Sequence, residues 1–425
     1  MIARQLVRKS AAVVVPCIVA FLLVQACGGG GGGGGSSSGD GGGGGNRTQP
    51  IGVATFTPTP PAVPSVVPTL VVSSGQSIAE VAKNAAQGAT IIVPPGLYGA
   101  VTFQPGDIPD GLQFVADVTG AITQSASAPV IIEAHGSGPA IALSGQSNVS
   151  FDSFTLRDGT VGFLVTNSPG TVIEDCVITG SHSDGVQVNG ADGALLFNNL
   201  ITNSGGAGID VRDTPSLQII NNTIYNSMQS GVSVDSSSSD AFVENNIFNH
   251  NRTGMGIAVA ATAAGFEGDF NLNTDGYEGV SAGKDDVHGD PIFLDPSKGD
   301  PTTNADFHLA QGSPAIDAGD DTIDAGLLGL LTQDTTQSDG TLDSLPPDLG
   351  YHYFAPPTPT PAVKPTRTPT PRPATPKPGT PSPTPRPQTG TATPTRKPAT
   401  AAPTNTAKGP HGGTPTPRPT KTPKH

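Results

Sequence analysis

A short pattern of apolar and polar residues recurs at a fixed period in the middle of the chain. Each copy is a glycine followed by an apolar, a variable and a second apolar residue, and the first four glycines are 23 residues apart. The four copies are Gly162–Val165, Gly185–Val188, Gly208–Val211 and Gly231–Val234. A fifth copy begins at Gly256, 25 residues after the fourth. A period of this length indicates a repeat architecture in which each unit buries its apolar side against its neighbours.

The repeating unit predicts β-strands rather than helices. In Gly185–Val188 and Gly208–Val211 the apolar residues alternate with polar ones, and β-branched residues dominate. Clusters of Gly, Asn, Asp and Ser end each strand and supply tight turns. No segment between the repeats is long enough for a crossover helix, so successive units must stack directly, at the strand spacing of ~4.8 Å. The sequence therefore predicts an all-β fold, a parallel β-helix solenoid.

A second pattern recurs with nearly the same period as the first and brings asparagines into equivalent positions of successive coils. It comprises Val172–Ile178, Leu195–Ile201, Gln218–Ile224 and Phe242–Phe248. One column of this alignment holds Asn199, Asn222 and Asn246, and Cys176 stands at its head. An inward asparagine at a turn can hydrogen-bond to the asparagine one coil above, so we predict a structural ladder. We expect Cys176 to be a small buried side chain and not a nucleophile.

The chain resembles the right-handed parallel β-helix proteins of the pectate-lyase-like superfamily over residues 75–354. Ala89–Tyr98 is similar to the first coil of that family after a short capping helix. Four later segments are similar to the closing region of many secreted bacterial β-helix proteins: Asp290–Phe293, Asp306–Leu309, Gly312–Gly319 and Asp348–Tyr351. These motifs are specific for the fold. They do not specify a reaction.

The N-terminus predicts an exported bacterial lipoprotein. Residues 1–27 have a basic start and an apolar run too short to span a membrane comfortably, as in a signal peptide. The run ends in Leu23–Cys27, which resembles a bacterial lipobox and would make Cys27 the lipidated residue. The alternative is an ordinary cleaved secretory signal, which would make the protein secreted instead of anchored at the cell envelope or surface. Residues 28–74, rich in Gly/Ser and then Thr/Pro, predict a tether.

The remaining chain predicts one domain and one tail. We assign residues 75–354 to the β-helix domain, with clear coils over 149–260 and an irregular closing segment over 261–354. Residues 355–425 form a basic Thr/Pro-rich tail that cannot build a core, and we expect it to be disordered. It is either a solvated tail, a contact to cell wall or acidic polymers, or a carrier of O-linked sugars.

Three shorter segments of the domain have their own predictions. The helical spacing of Ile78, Val81, Ala82 and Ala85 predicts a short helix within 76–87 that caps the first coil. Residues 105–128 lack periodicity and predict an excursion from the first coil. Residues 320–345 are polar apart from one leucine-rich patch and predict a loop over the C-terminal end of the solenoid.

Charge and cysteine usage narrow the functional classes. The net charge of −14 is unevenly spread: residues 51–355 carry −28 and residues 356–425 carry +11. An acidic domain argues against nucleic acid and against direct binding of polyanions. If the domain handles acidic sugars, it needs a bridging cation such as Ca²⁺; otherwise its charge serves solubility.

Besides Cys176, the chain has only Cys17 and Cys27, so no disulfide framework is implied. We expect a monomer.

The outward positions of the repeats hold the candidate site. One outward column contains Leu164, Gln187, Asp210 and Ser233, and the next contains Thr166, Asn189, Arg212 and Asp235. Asp184, Asp210 and Asp235 lie on successive coils and could share a Ca²⁺ ion. With Arg212 or His182 as the base, that arrangement would suit a lyase acting on a uronate polymer.

Two other functions stay open from the sequence. A glycoside hydrolase needs paired acids on opposite sides of the sugar ring, and the repeats contain no adjacent Asp-Asp pair. A non-catalytic surface protein would use its long flat faces to bind glycan or a protein partner. Few aromatic residues occur in the repeats, which disfavours binding by ring stacking. We expect the protein to engage an extracellular polysaccharide, with or without cleaving it.

Overall fold

The computed structural model describes residues 68–252, 255–297, 301 and 305–355. The predicted signal peptide, Cys27, the tether up to residue 67 and the tail from residue 356 lie outside the described residues. Among the residues described, no helix has the length and apolar character that crossing a membrane requires.

Three parallel sheets form the walls of a solenoid, and each coil contributes one strand to each sheet in the order A, B, C. Face A consists of Thr69–Val71, Thr90–Val93, Gln113–Ala116, Ser150–Asp152, Val172–Glu174, Leu195–Phe197, Gln218–Ile220, Phe242–Glu244 and Glu267–Asp269. Face B consists of Gly96–Gly99, Val130–Glu133, Thr155–Arg157, Val177–Thr179, Leu200–Thr202, Thr223–Tyr225, Ile247–Asn249 and Leu272–Asn273. Face C consists of Val101–Phe103, Ile141–Ser144, Phe163–Thr166, Val186–Asn189, Ile209–Arg212, Val232–Val234, Ile257–Val259 and Tyr277–Glu278. The predicted parallel β-helix is confirmed.

The register places equivalent residues of successive coils directly above one another. Val186 pairs with Phe163 on one side and with Ile209 on the other, so the 23-residue period is the length of one coil. All three side chains are fully buried. On face A of the first coils, phenylalanine rings stack inside the core: the ring centroids of Phe114 and Phe151 are 4.9 Å apart. The core is therefore narrow and continuous along the solenoid.

A two-residue corner joins faces A and B. Its first residue turns the chain, and its second residue points into the core. The first residue of each pair has a positive φ: 56° at Asp175, 52° at Asn198, 55° at Asn221 and 59° at Asn245. Asn and Asp tolerate this left-handed conformation better than other residues with a β-carbon. It turns the chain sharply, so that the second residue of each pair points into the core.

The inward residues of these corners form the asparagine ladder. The Oδ1 atom of Asn222 accepts hydrogen bonds from the backbone N–H and the Nδ2 atom of Asn199, both at 2.9 Å. The same pattern links Asn222 to Asn246 and Asn246 to Asn271, a member that the sequence analysis did not include. At the head of the column, the backbone N–H of Cys176 donates to Asn199 at 3.0 Å. Burial raises the pKa of the Cys176 thiol well above its usual value, so the group is neutral at physiological pH.

Helix α1 (Ile78–Lys83) packs at the start of the solenoid, shorter than the range within which it was predicted. Ser77 and Glu80 form a capping box at its N-terminus, which explains where the helix begins. Its buried residues Ile78 and Ala82 join the main core. The excursion predicted over 105–128 is wrong in part, because Gln113–Ala116 is a regular strand of face A. Residues 105–112 belong to the turn from face C to face A, and residues 117–129 form a long connection from face A to face B.

The C-terminal residues 290–355, hereafter the flank segment, contain one antiparallel strand pair and helix α2. The paired strands are Phe293–Asp295 and Asp306–Leu309, and α2 spans Ala325–Leu331. The prediction of a loop over the C-terminal end is wrong. The leucines of α2 pack against outward side chains of face A, including Leu195, Phe197 and Ile220.

The flank segment lies there because the outward positions of faces A and B are apolar in the middle coils. On face B, Phe307 packs with Leu200 and Tyr225. The outer corner asparagines bind the same segment through its backbone: the side chain of Asn198 exchanges two hydrogen bonds with the main chain of His352, at 2.6 and 3.0 Å. A solenoid with apolar outward residues needs such a cover, since exposed apolar patches of this size are unfavourable in water.

A buried ion pair fixes the end of the flank segment. The Nδ1 atom of His352 lies 2.9 Å from the carbonyl oxygen of Gly350, and its Nε2 atom lies 2.7 Å from Oδ2 of Asp343. Both ring nitrogens therefore face acceptors, which favours the imidazolium form. Burial alone would lower the pKa of His352, but the hydrogen bond and charge of Asp343, with the charge of Asp348, outweigh it and raise the pKa above its ordinary value.

This ion pair predicts that stability falls as the pH rises through the raised pKa of His352. A histidine whose pKa is raised on folding contributes stability that is fully present below its unfolded pKa and is lost as the pH rises through the folded pKa. We expect the difference in free energy of unfolding between wild type and His352→Gln to shrink across that range, by about 1.4 kcal/mol for each unit of pKa shift. Urea unfolding at several pH values measures it. The exposed control His288→Gln should show no such trend, and a wild-type difference independent of pH would contradict the ion pair.

Candidate functional site

Face C is the side of the solenoid that the flank segment leaves open. Within the described residues, no hydrogen bond and no hydrophobic cluster joins the flank segment to a strand of face C. Faces A and B both carry such contacts. An extended ligand can therefore reach the outward side chains of face C across several coils.

The outward side chains of face C form two columns in strict register. The first column contains Ala142, Leu164, Gln187, Asp210, Ser233 and Ala258, which are paired residue by residue along the sheet. Beside it, Ser144, Thr166, Asn189 and Arg212 form the second column. Apart from Leu164 these side chains are polar or small, and none is aromatic. The surface therefore offers hydrogen bonds at the strand spacing and no platform for ring stacking.

An ion pair lies at the centre of this surface. The Nη2 atom of Arg212 is 2.6 Å from Oδ2 of Asp210, and the Nε2 atom of Gln187 donates to the same oxygen at 3.3 Å. Although Asp210 points outward, its side chain is only 11% exposed, whereas that of Arg212 is 53% exposed. The guanidinium keeps several N–H donors facing solvent, which suits recognition of hydroxyl or carboxylate oxygens.

Asp184 lies next to this pair, in the turn from face B to face C of the preceding coil. Its Oδ1 atom accepts the backbone N–H of Ala207 at 2.9 Å, and Ser183 donates to Oδ2 at 3.2 Å. Burial raises its pKa, as does the charge of Asp210, while the Ala207 hydrogen bond and Arg212 act against the rise. A β-carbon at Gly206 would lie 2.3 Å from Oδ1, so the turn above Asp184 requires glycine.

Asp235 stands apart from this pair. Its carboxylate accepts hydrogen bonds from the backbone of Asp213 and Ser237 and from the hydroxyl of Ser238, all in turns beyond face C. In the part of the chain that the structure describes, two groups have three or more carboxylate or imidazole ligand atoms within 4.8 Å of one another, and neither contains Asp184, Asp210 or Asp235. The predicted calcium ligands therefore do not converge as a set of three.

His182 also has a different neighbour from the one that sequence reasoning gave it. Its Nε2 atom lies 3.1 Å from Oδ1 of Asp158, in the turn of the coil before. A third pair, Arg157 with Glu133, lies on face B close to those turns. Sequence reasoning missed Glu133, Arg157 and Asp158 because the 23-residue pattern is weak in those coils. Their register is still visible in the sequence, since Glu133 and Arg157 occupy paired strand positions.

The three parallel sheets and their stacked coils make the described domain a parallel β-helix, the architecture that the sequence predicted. Residues 130–274 match the family model described as the right handed beta helix region. No curated protein sequence matches the chain significantly.

Several solved structures match the chain at low identity and with low TM-scores. The catalytic unit of an α-1,3-glucanase from Streptomyces thermodiastaticus is 17% identical, with a TM-score of 0.35 over 46% of this chain. An alginate lyase from Paenibacillus is 11% identical, with a TM-score of 0.29 over 51% of this chain and 99% of that one. A pectate lyase, Pel9A, is 12% identical, with a TM-score of 0.29 over 67% of this chain and 95% of that one. The chain spans only 43% of the glucanase structure.

Proposed function

We propose that the protein binds an extracellular polysaccharide along the outer surface of face C, with Gln187, Asp210 and Arg212 at the centre of the contact. The observation that carries the proposal is the unequal covering of the three faces. The flank segment buries the apolar outward residues of faces A and B, whereas face C presents an open, polar surface.

The chemistry of face C suits an extended chain of sugars. Successive coils repeat their outward side chains at the strand spacing of ~4.8 Å, so a polymer lying across the coils meets a donor or acceptor at each step. Ser233 and Gln187 offer neutral hydrogen-bonding groups, and Arg212 adds a charged donor that strengthens its hydrogen bonds. Recognition through hydrogen bonds alone predicts a strong dependence on the hydroxyl pattern of the sugar.

The location outside the cell belongs to this proposal and rests on the sequence. The apolar start and Cys27 support export with a lipid anchor, or secretion where the cysteine is not modified. Thr69–Val71 is a strand of face A, so the tether predicted over residues 28–74 ends earlier than predicted. The residues before this strand would then hold the domain away from the membrane surface. In that case the protein would contact the membrane through the lipid attached to Cys27.

The finer proposal is elimination on a uronate-containing polymer with the help of Ca²⁺. Because Asp184, Asp210 and Asp235 do not converge, we assign no step to the metal and keep Asp210 and Arg212 as polymer contacts. The alternative is a non-catalytic surface protein that binds glycan or a protein partner through the same face. The product distinguishes the two functions: elimination forms an unsaturated uronate, whereas binding alone leaves the polymer unchanged.

Binding to a panel of polymers tests the proposal. Calorimetry with the full chain would use α-1,3-glucan, alginate and pectate, each with Ca²⁺ and with chelator. We expect at least one polymer to bind and Arg212→Ala to weaken that binding about tenfold or more, because a charged hydrogen bond contributes about 1.5–3 kcal/mol. The ultraviolet absorbance of the same mixtures reports any unsaturated uronate product.

The matched control is Lys284→Ala, which removes an exposed cation away from face C. It should leave the affinity unchanged. Equal losses in both variants would mean that general charge and not face C governs binding. A panel with no binding at all would contradict the proposal.

A further inference from the structure

A second group of polar side chains lies on three successive coils, where faces B and C meet. Glu133 ends a face B strand, and His135 follows it in the turn. Asp158 follows the paired strand of the next coil, and His182 lies in the turn of the coil after that. The solenoid thus brings together two carboxylates and two imidazoles from three successive coils.

The distances within this group are those of potential ligands to one ion. The ligand atoms of Glu133, His135 and Asp158 all lie within 4.8 Å of one another. His135 Nε2 is 3.8 Å from Oε2 of Glu133, and His182 Nε2 is 3.1 Å from Oδ1 of Asp158. Asp158 therefore belongs to the group of three and also contacts the His182 imidazole, which brings the second imidazole to the edge of that group.

The local backbone makes room for this arrangement. A β-carbon at Gly136 would lie 2.7 Å from Cε1 of His182, so glycine at this position lets the His182 ring lie over the preceding turn. His135 and Asp158 both have positive φ angles, 50° and 55°, which direct their side chains out of the coil. The side chains of His135, Asp158 and His182 are 74%, 46% and 57% exposed, so an ion can reach them from solvent.

We propose that Glu133, His135, Asp158 and His182 form a binding site for a divalent transition-metal ion of the Zn²⁺ type. Imidazole nitrogens suit Zn²⁺, Cu²⁺ and Ni²⁺, whereas Ca²⁺ and Mg²⁺ take oxygen ligands. Two imidazoles with two carboxylates complete the four-coordinate shell that Zn²⁺ prefers. The mixed donor set separates this site from an acidic surface cluster.

One neighbouring charge acts on the site. The Nε atom of Arg157 lies 2.9 Å from Oε1 of Glu133. Its positive charge opposes a cation, but the contact holds the Glu133 carboxylate in place and leaves Oε2 on the side of His135. A bound ion would connect three successive coils near the N-terminal end of the solenoid. The proposal is independent of polysaccharide binding, because none of its four residues belongs to the outward columns of face C.

Calorimetric titration of the full chain with ZnCl₂ tests the site. We expect one Zn²⁺ ion per chain and a melting temperature that rises with Zn²⁺, since a ligand that binds the folded state stabilises it. His135→Ala and Asp158→Asn should each weaken Zn²⁺ binding at least tenfold. Because asparagine tolerates the positive φ of position 158, the melting temperature of Asp158→Asn without metal should stay at the wild-type value. An excess of Ca²⁺ should not displace the Zn²⁺.

Two control variants change histidines outside the cluster. His288→Ala changes an exposed histidine outside the cluster, and His411→Ala/His425→Ala changes those of the tail. Both variants should bind Zn²⁺ as the wild type does. Undiminished affinity in His135→Ala and Asp158→Asn, or the same loss in the controls, would overturn the proposal.

Discussion

Val186→Asp should unfold the domain. Val186 is fully buried and pairs with Phe163 and Ile209 in the central column of face C, so the new carboxylate would have no partner and no water. An unpaired buried charge of this kind should lower the free energy of unfolding by about 4 kcal/mol or more. Thermal unfolding followed by circular dichroism measures the change.

The matched control is Asn189→Asp on the same strand. Asn189 is exposed and pairs with Arg212, so a carboxylate there stays in water beside a cation. It should melt within a few degrees of the wild type. Cooperative unfolding of Val186→Asp at the wild-type temperature would contradict the register of the coils.

Asn222→Ala should have the second largest effect on stability. The Asn222 side chain accepts two hydrogen bonds from Asn199, and its Nδ2 atom donates to the carbonyl oxygens of Leu196 and Ile220 at 2.9 and 3.0 Å. Alanine would leave these buried groups without partners, and each unsatisfied group costs about 1–3 kcal/mol. We expect the free energy of unfolding to fall by about 3 kcal/mol or more in urea titrations.

Asn189→Ala serves as the control for this loss. It removes an exposed asparagine from the same repeats without touching the ladder, and its effect should stay within about 0.5 kcal/mol. Similar losses in both variants would show that the ladder adds nothing beyond ordinary side-chain contacts.

The repeats could be predicted from the sequence because their physics is local and periodic. A 23-residue spacing of Gly162, Gly185 and Gly208 sets the length of a coil, and alternation around Val186 sets which side faces inward. The flank segment could not be predicted in this way. Its position depends on outward apolar residues such as Phe197, and the period of the repeat does not show which segment covers them.

The candidate site was predictable only in part, for the same reason. Strand register brings Gln187, Asp210 and Arg212 together, and register follows from the repeat. Contacts between turns do not follow from it, because turn residues differ in number and conformation from coil to coil. Asp235 therefore binds its own turn, and His182 contacts Asp158 instead of the aspartates of face C.

The most direct test of the central claim uses the absence of tryptophan from the chain. Ser233→Trp places a single fluorophore on the outer surface of face C, and Leu97→Trp places one on an exposed position of face B. Emission would be recorded while each polymer of the panel is added. The account predicts a saturable shift for Ser233→Trp with the bound polymer and no shift for Leu97→Trp. A shift at Leu97→Trp with none at Ser233→Trp would contradict polysaccharide binding on face C.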